Sequence, residues 1–578
     1  MKKDLEVSEK ISKLPLPGNY IKTDMTDRFK KPLRLILPGN REIRIHQPTS
    51  LVEILREYDS GKSEETALAV LNTRLVSLQN VISESGSVEW IPFKSTEAIQ
   101  AYRLTACLIL IRAFRECYPA IPFIIDHSLG NGFYCKSRDG KPFSQSLLRT
   151  LTRRMRGIVG ENSPVTPVES SREDYLALFR QRGEESPGVL GPRPPQMLTF
   201  YQSGETRDYL GYPLLSRTGL CSGFALQKLF PGMILRLPFD PFGRPSNPAL
   251  HRKKLFHVFE EYGQWLHIQG IQKLADLNRI IRENRIDELI KVAEGLHEKR
   301  IARIADTMHR KNRRIILIAG PSSSGKTTFT KRLYIQLRVS GLFPRTLSLD
   351  DYFLDWENTP KDPEGNYDFE SPAALDIQRL KQDIPRLLNG KRVRVPRYDF
   401  LKGKSVEGPE IRLESGQPLL IEGLHGLNHG LFSFLPARLV HRIYVSVLTQ
   451  LNITDHLRVS TSDIRFLRRI LRGHLFRGHP ARHTIERWPL VRQGEENNIF
   501  PFQEAADTIF NTSLTYELAV LNPLVTPLLK KVRSSDKVRV EALRLMDLLM
   551  LANPVPAQHI PSNSILREFI GDSSFRYT

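Results

Sequence analysis

From Leu33 the chain alternates apolar and polar residues in "LRLILPGNREIRI", around a turn at Pro38-Gly39-Asn40. That pattern predicts a β-hairpin. "SLVEILREY" then shifts to helical spacing, and "ALAVLNTRLVSLQNVI" returns to a strand pattern around a turn near Asn72, so a small α+β unit should end near Pro92. "TEAIQAYRLTACLILIRAFRECYP" from Thr96 reads as a long amphipathic helix stopped by Pro119, and "IPFIIDHSLGNGFYCKS" as strand, glycine turn and strand. A polar, proline-rich stretch around Ser186–Pro195 precedes "GFALQKLFPGMILRLP", which closes a second unit near Pro238. Residues 240–313 have helical spacing and dense charge, as a solvated connector would. Beyond Arg314, the apolar stretches "RIILIAG", "RTLSLDDYF", "PLLIEGL" and "HRIYVSVL" alternate with helical segments. This predicts a parallel sheet flanked by helices.

Bulk properties narrow the picture only modestly. A chain of 578 residues is too long for one core. The longest apolar candidate for a membrane span, "LTACLILIRAF" from Leu104, is too short and reads as a buried helix. "MKKDLEVSEKISKLPLPGNY" has no apolar signal region, and the four cysteines (Cys107, Cys117, Cys135, Cys221) form no C-x-x-C pair. Both observations fit a reducing, cytoplasmic setting. The balance of 84 Lys+Arg against 63 Asp+Glu gives +21. Three readings of that charge stay open: an RNA partner, ATP with a phosphorylated product, or a basic solvated surface.

The strongest chemistry lies in "GPSSSGKTT", comprising Gly320, Pro321, Ser322, Ser323, Ser324, Gly325, Lys326, Thr327 and Thr328. It fits G-x-x-x-x-G-K-[ST] at every fixed position, between an apolar strand and a helical pattern. The glycines let backbone N–H groups turn toward phosphates, Lys326 reaches the β/γ-phosphates, and Thr327 offers a hydroxyl to Mg²⁺. A plain Gly/Ser turn is the bland alternative. "PLLIEG" ends a strand on Glu422, which suits the acidic side of a metal's shell. "RTLSLDDYF" ends a strand on Asp350 and Asp351, one of which could take a proton from an attacking hydroxyl. A helix or turn cap is the competing reading of that pair. In "SDIRFLRRILRGHLFRGH", Arg465, Arg469 and Arg472 share a helical face, and Arg477 lies just beyond in a glycine-bounded segment. Clustered arginines suit the charge of a transferring phosphoryl group. An RNA-binding helix is the alternative, though Phe466 and Phe476 give thin aromatic interleaving. His474, His479 and His483 match no standard zinc spacing and read as polar residues of the same lid.

Together these residues resemble the uridine kinase and phosphoribulokinase group of P-loop kinases. The likeness rests on "GPSSSGKTT", "SLDDYF", "YDFESPAALD", "VRVPRYDF", "LLIEG" and "LRRILRGHLFRG", in the family's order. It implies ATP, Mg²⁺ and phosphorylation of a nucleoside 5′-hydroxyl. It also implies Asp350 as base, Glu370 on the ribose hydroxyls, Tyr398 and Phe400 as an aromatic wall, and Arg469, Arg472 and Arg477 as lid arginines. The chain departs from the family at Gly403, where pyrimidine kinases carry a base-reading histidine, and at Gly473 and His479 in the lid. The N-terminal region resembles the TGS and editing-type domains of threonyl-tRNA synthetases through "DHSLGNGFYC" and "GLCSGFALQKLFPGMILRLP". The editing histidines align with Leu104 and Leu108, so loss of metal-dependent editing is expected.

The expected fold is an α/β P-loop kinase domain, a parallel sheet flanked by helices, preceded by α+β TGS-like β-grasp and synthetase-editing-like domains. The expected boundaries are a loose arm at 1–30, a TGS-like domain at 31–92 and an editing-like domain at 93–238. A helical connector at 239–313, the kinase domain at 314–532 and a helical extension at 533–578 follow. The leading function is a uridine kinase-like nucleoside kinase. The alternative is an RNA-binding regulatory protein with a P-loop ATPase. A TGS-bearing GTPase is disfavoured because N-K-x-D is absent, and "DPEG" at Asp362 does not end a strand.

Overall fold

The computed structural model describes residues 32–171, 173, 174, 176, 177, 197–238, 253–361, 365, 367–400 and 402–577. The expected N-terminal arm, the proline-rich stretch at 186–195 and Asp362 lie outside them. The chain divides into two compact units: residues 1–123, 136–171 and 197–246 in the first, and residues 124–135, 172–196 and 247–578 in the second.

In the first unit, Leu33–Leu37 and Arg41–Ile45 pair antiparallel around the turn at Gly39 and Asn40, both of which have positive φ. They belong to a five-stranded sheet whose order, numbering strands along the chain, is second, first, fifth, third, fourth. The first and fifth strands run parallel. The helix Leu51–Tyr58 starts on a capping box in which Ser50 and Glu53 satisfy each other's backbone N–H. Its Leu51, Ile54 and Leu55 join Leu35, Leu37, Ile43 and Trp90 in one core. This is a β-grasp-like arrangement of a sheet and one helix. The helix Thr96–Cys117 forms where expected, but it is not amphipathic. Residues from Ala101 to Phe114 are buried almost all round, Leu104 and Leu108 included, which fits a central position in its unit. The four cysteines are free thiols, and Cys107, Cys135 and Cys221 are buried.

The second unit is built on five parallel strands: β1 (Ile315–Ala319), β2 (Arg345–Ser348), β5 (Leu419–Glu422), β6 (Val440–Ser446) and β7 (Thr508–Asn511). Their order is β2-β5-β1-β6-β7. An antiparallel hairpin, β3 (Val393–Asp399) and β4 (Lys404–Ile411), stands apart from this sheet. Alternation on β1 explains its unbroken apolar run. Ile315 and Leu317 face one core with Leu347, Leu380 and Leu419, while Ile316 and Ile318 face another with Phe329, Leu333 and Val445.

From Lys253 on, the segment expected as a solvated connector belongs inside this unit. Its helix α1 (Ile286–Arg310) lends Ile301, Ile304, Ala305 and Met308 to the second core. The charges on it are partly internal. Arg332 bonds Glu294 at 3.1 Å and Glu298 at 2.7 Å, and the Tyr516 hydroxyl donates to Glu294 at 2.8 Å. Charge density alone therefore misreads a helix whose ion pairs are satisfied by its neighbours. The C-terminal residues are likewise integrated into the unit, as Ile565 sits in the same core as Phe329. Among the described residues, no helix is long and apolar enough to cross a membrane.

Candidate active site

Parallel pairing brings three strand ends together. Ile318 of β1 and Ser348 of β2 both stand opposite Glu422 of β5. The loop after β1, the acidic pair after β2 and the carboxylate ending β5 therefore share one crevice, the usual ligand position in an open α/β sheet.

The loop after β1 is a backbone cradle. Ser323 and Gly325 have φ of 58° and 86°, and helix α2 (Lys326–Val339) begins immediately after. A Cβ on Gly320 would lie 1.9 Å from the Val445 carbonyl oxygen, so only glycine fits against β6 there. The Lys326 ammonium donates to the Pro321 carbonyl at 3.2 Å. Removal from water pushes the Lys326 ammonium below its ordinary range, while Glu422, Asp350 and Glu568 pull it back up. The Thr327 hydroxyl donates to Glu422 at 3.5 Å. Desolvation, with the Asp350 charge adding, pushes Glu422 up to about 7. A divalent cation between hydroxyl and carboxylate would relieve that cost, and hard oxygen donors fit Mg²⁺.

The acidic pair after β2 splits its roles. Asp351 accepts from the Tyr398 N–H on β3 at 3.4 Å, and its carboxyl is raised chiefly by burial. Asp350 is left on the crevice side, where its charge is felt by Lys326, Glu422, Glu370 and Arg477.

The arginines divide as well. Helix α3 (Thr461–Arg477) does not present Arg465 beside Arg469 and Arg472 as one open face. Arg465 is buried, donates to the Ser322 carbonyl at 3.0 Å and pairs closely with Glu495 of helix α4 (Ala481–Asn498). Arg468 is also buried and holds Glu517 and the Thr512 carbonyl. Their long side chains run under the loop, where only a carboxylate partner makes burial affordable. Arg469 bonds the Ser322 hydroxyl; burial pushes its guanidinium down, and the Glu370 charge opposes that shift most. Arg472 pairs with Glu568 at 3.5 Å. Arg477 closes the helix as its last residue, rather than lying beyond it, with Gly478 in the left-handed cap position.

Glu370 is pushed up to about 7, chiefly by desolvation, and its Oε2 is buried without a hydrogen-bond partner among the described residues. The Tyr398 hydroxyl is buried and unpartnered in the same way. Tyr398 and Phe400 meet edge-on at 5.0 Å, with Phe353 at 5.6 and 6.2 Å from them. His479 and His483 lie with ring centroids 4.6 Å apart.

Several residues here carry no sequence signal strong enough to single them out. Glu495 accepts from the Ser322 N–H at 3.0 Å. Glu568 accepts from the Thr328 N–H at 3.1 Å and its hydroxyl at 2.9 Å, and the Tyr577 hydroxyl meets Thr328 at 2.9 Å. His425, three residues past Glu422, is buried with both ring nitrogens unpartnered among the described residues. Burial and Lys326 push it down to about 4, so it is neutral at pH 7. Only His425 could have been found locally, as a histidine just past a strand end.

Residues 315–519 match the Phosphoribulokinase / Uridine kinase family model. The N-terminal part matches curated threonine–tRNA ligases. Identity is 28% over 166 residues with that of Clostridium perfringens, covering 29% of this chain and 26% of the relative. With that of Clostridium novyi it is 25% over 267 residues, covering 46% and 41%. The chain thus spans well under half the length of these relatives. Among solved structures, a possible uridine kinase from Bacillus stearothermophilus matches at 19% identity and TM-score 0.26, covering 37% of this chain and 98% of that one.

Proposed function

We propose that the second unit transfers the γ-phosphoryl group of ATP to the 5′-hydroxyl of a nucleoside. The coarser statement, a P-loop kinase of the uridine kinase/phosphoribulokinase type, is supported by the family match over residues 315–519. The finer one is carried by a single observation. A phosphate cradle, the free carboxylate of Asp350, the unpartnered carboxylate of Glu370 and the arginines of α3 converge on one crevice.

In this reading the N–H groups of the loop and Lys326 hold the donor phosphates. Thr327 and Glu422 hold Mg²⁺, which when bound offsets phosphate charge. Glu370 accepts from the ribose hydroxyls. The 5′-oxygen attacks the γ-phosphorus, its proton passes to Asp350, and the bond to the ADP oxygen breaks. Arg469, Arg472 and Arg477 stabilise the charge spread over the transferring oxygens. The first unit is assigned a structural or regulatory role without metal-dependent editing, because Leu104 and Leu108 are apolar and buried.

The test is a coupled assay on the purified full chain. ADP should appear in step with phosphorylated nucleoside. Lys326→Ala and Asp350→Asn should each lower turnover by roughly a thousandfold or more, with ATP binding strongly impaired in the first alone. Equal turnover in Asp350→Asn would remove it as the base. ATP hydrolysis stimulated by RNA, without a nucleoside product, would favour a regulatory ATPase instead.

A further inference from the structure

We infer that the C-terminal segment competes with the nucleotide for the phosphate cradle, with the Glu568 carboxylate as the built-in rival anion. ATP must then expel that carboxylate before its phosphates can take the first turn of α2. The inference rests on the phosphate-binding part of the reading above and is independent of the acceptor.

The rival sits where an anion is drawn. Thr328 is the third residue of α2, and the Phe329 N–H donates to the Gly325 carbonyl at 3.0 Å. The Thr328 N–H, one residue earlier, is among the donors that a helix leaves without an internal partner. Such donors, opening a helix after a glycine-rich loop, are the ones that phosphate oxygens accept from. Here one oxygen of Glu568 accepts from that N–H at 3.1 Å and from the Thr328 hydroxyl at 2.9 Å. The other oxygen pairs with Arg472 of α3 at 3.5 Å. One carboxylate thus spans the loop's helix and an arginine that the proposed mechanism gives to the transferring phosphoryl group. Lys326 and Glu422 both feel its charge. A helix cap alone would account for the bonds to Thr328, but not for the hold on Arg472. A carboxylate and a phosphate cannot share these donors, because like charges at contact distance repel.

A fixed backbone delivers the carboxylate. Ile565 is fully buried in the core with Phe329, and a Cβ on Gly325 would meet it at 2.5 Å. The Arg468 guanidinium lies over the Phe569 ring at 4.9 Å. Arg567 ties the segment by donating to the Ala557 carbonyl at 2.9 Å and the Ile560 carbonyl at 2.6 Å. With its neighbours anchored, Glu568 leaves Thr328 by side-chain rotation. Tyr577 closes over the same turn: its hydroxyl is 2.9 Å from that of Thr328, and the Lys331 ammonium stands 5.9 Å from its ring centre.

The test measures ATP binding to the full chain by calorimetry with Mg²⁺ present, beside thermal melting without nucleotide. Glu568→Gln removes the charge and keeps the shape, and should tighten ATP binding roughly tenfold. Its melting temperature should be unchanged or lower. Glu568→Ala should tighten binding at least as much, and Tyr577→Phe by only about threefold. Should the alanine variant fail to fold, Glu568→Gln carries the comparison. A folded Glu568→Gln protein with parental or weaker ATP affinity overturns the inference, and the segment is then only a cap on α2. The cradle reading survives that result if Lys326→Ala still loses ATP binding. If the parent binds no ATP, or Lys326→Ala binds it as tightly as the parent, both fail.

Discussion

The phosphate-loop side of the crevice and the proposed acceptor side are built on opposite principles. Around the phosphate loop, most polar groups are already engaged, the buried Ser324 hydroxyl excepted. Ser322 alone is held through its N–H by Glu495, its carbonyl by Arg465 and its hydroxyl by Arg469. The Ser324 carbonyl takes the Thr512 hydroxyl at 2.7 Å. Across the crevice, Glu370 Oε2 and the Tyr398 hydroxyl are buried without a hydrogen-bond partner among the described residues, and Phe400 stands largely in solvent. A saturated cradle is rigid before its ligand arrives, whereas unsatisfied groups gain most when a ligand supplies their partners. In the proposed reading, the cradle is preformed for phosphates while the opposite side gains its missing partners from the acceptor.

The largest effect should come from breaking the saturated side. Arg465→Ala leaves Glu495 buried without its main counter-charge, so unfolding should lose about 3–5 kcal/mol, measured by denaturant titration. The double variant R465M/E495L should recover most of that stability yet keep a weakened ATP affinity, because Ser322 then has lost two of its three holders.

Glu370→Gln should act in the opposite direction on stability. The folded-state carboxyl is raised from 4.5 to about 7. Glu370 therefore costs nothing below the unfolded value. It destabilises increasingly as pH rises from there to about 7, and the cost is level above. The variant should melt a few degrees higher than the parent at pH 8 and at the same temperature near pH 4. Its KM for the nucleoside should rise roughly tenfold or more at pH 8, with the KM for ATP unmoved. An unchanged nucleoside KM would remove Glu370 from the acceptor site. The smallest effect is expected at Phe400→Leu. Its exposure predicts a melting temperature within about a degree of the parent and a nucleoside KM raised only severalfold.

The same contrast governs what could be read from the sequence. The strand, loop and helix around Lys326 were legible because their geometry is set by neighbouring residues: glycines where φ is positive, a lysine at fixed spacing, an apolar run before them. Asp350 and Glu422 were legible because parallel strands end at one edge. The holders of the loop were not, because Glu495 lies 173 residues from Ser322 and Glu568 lies 240 from Thr328. No local period records such a contact. Arg465 shows the limit from the other side. Its spacing placed it with Arg469 and Arg472, but a helical face does not say which of its members has a buried carboxylate waiting. The connector helix was misjudged for the same reason, since Glu294 finds Arg332 and Tyr516 only in three dimensions.

The link from Glu568 to Thr328 also bears on how the chain is made. A nascent protein presents the phosphate loop to the cell long before its clamp has been translated. At roughly 5–20 residues per second, the 240 residues between them take on the order of ten to fifty seconds. Over that interval the first turn of the loop's helix lacks its carboxylate and tyrosine partners, so its N–H and hydroxyl groups at Thr328 face water until the last residues of the second unit arrive.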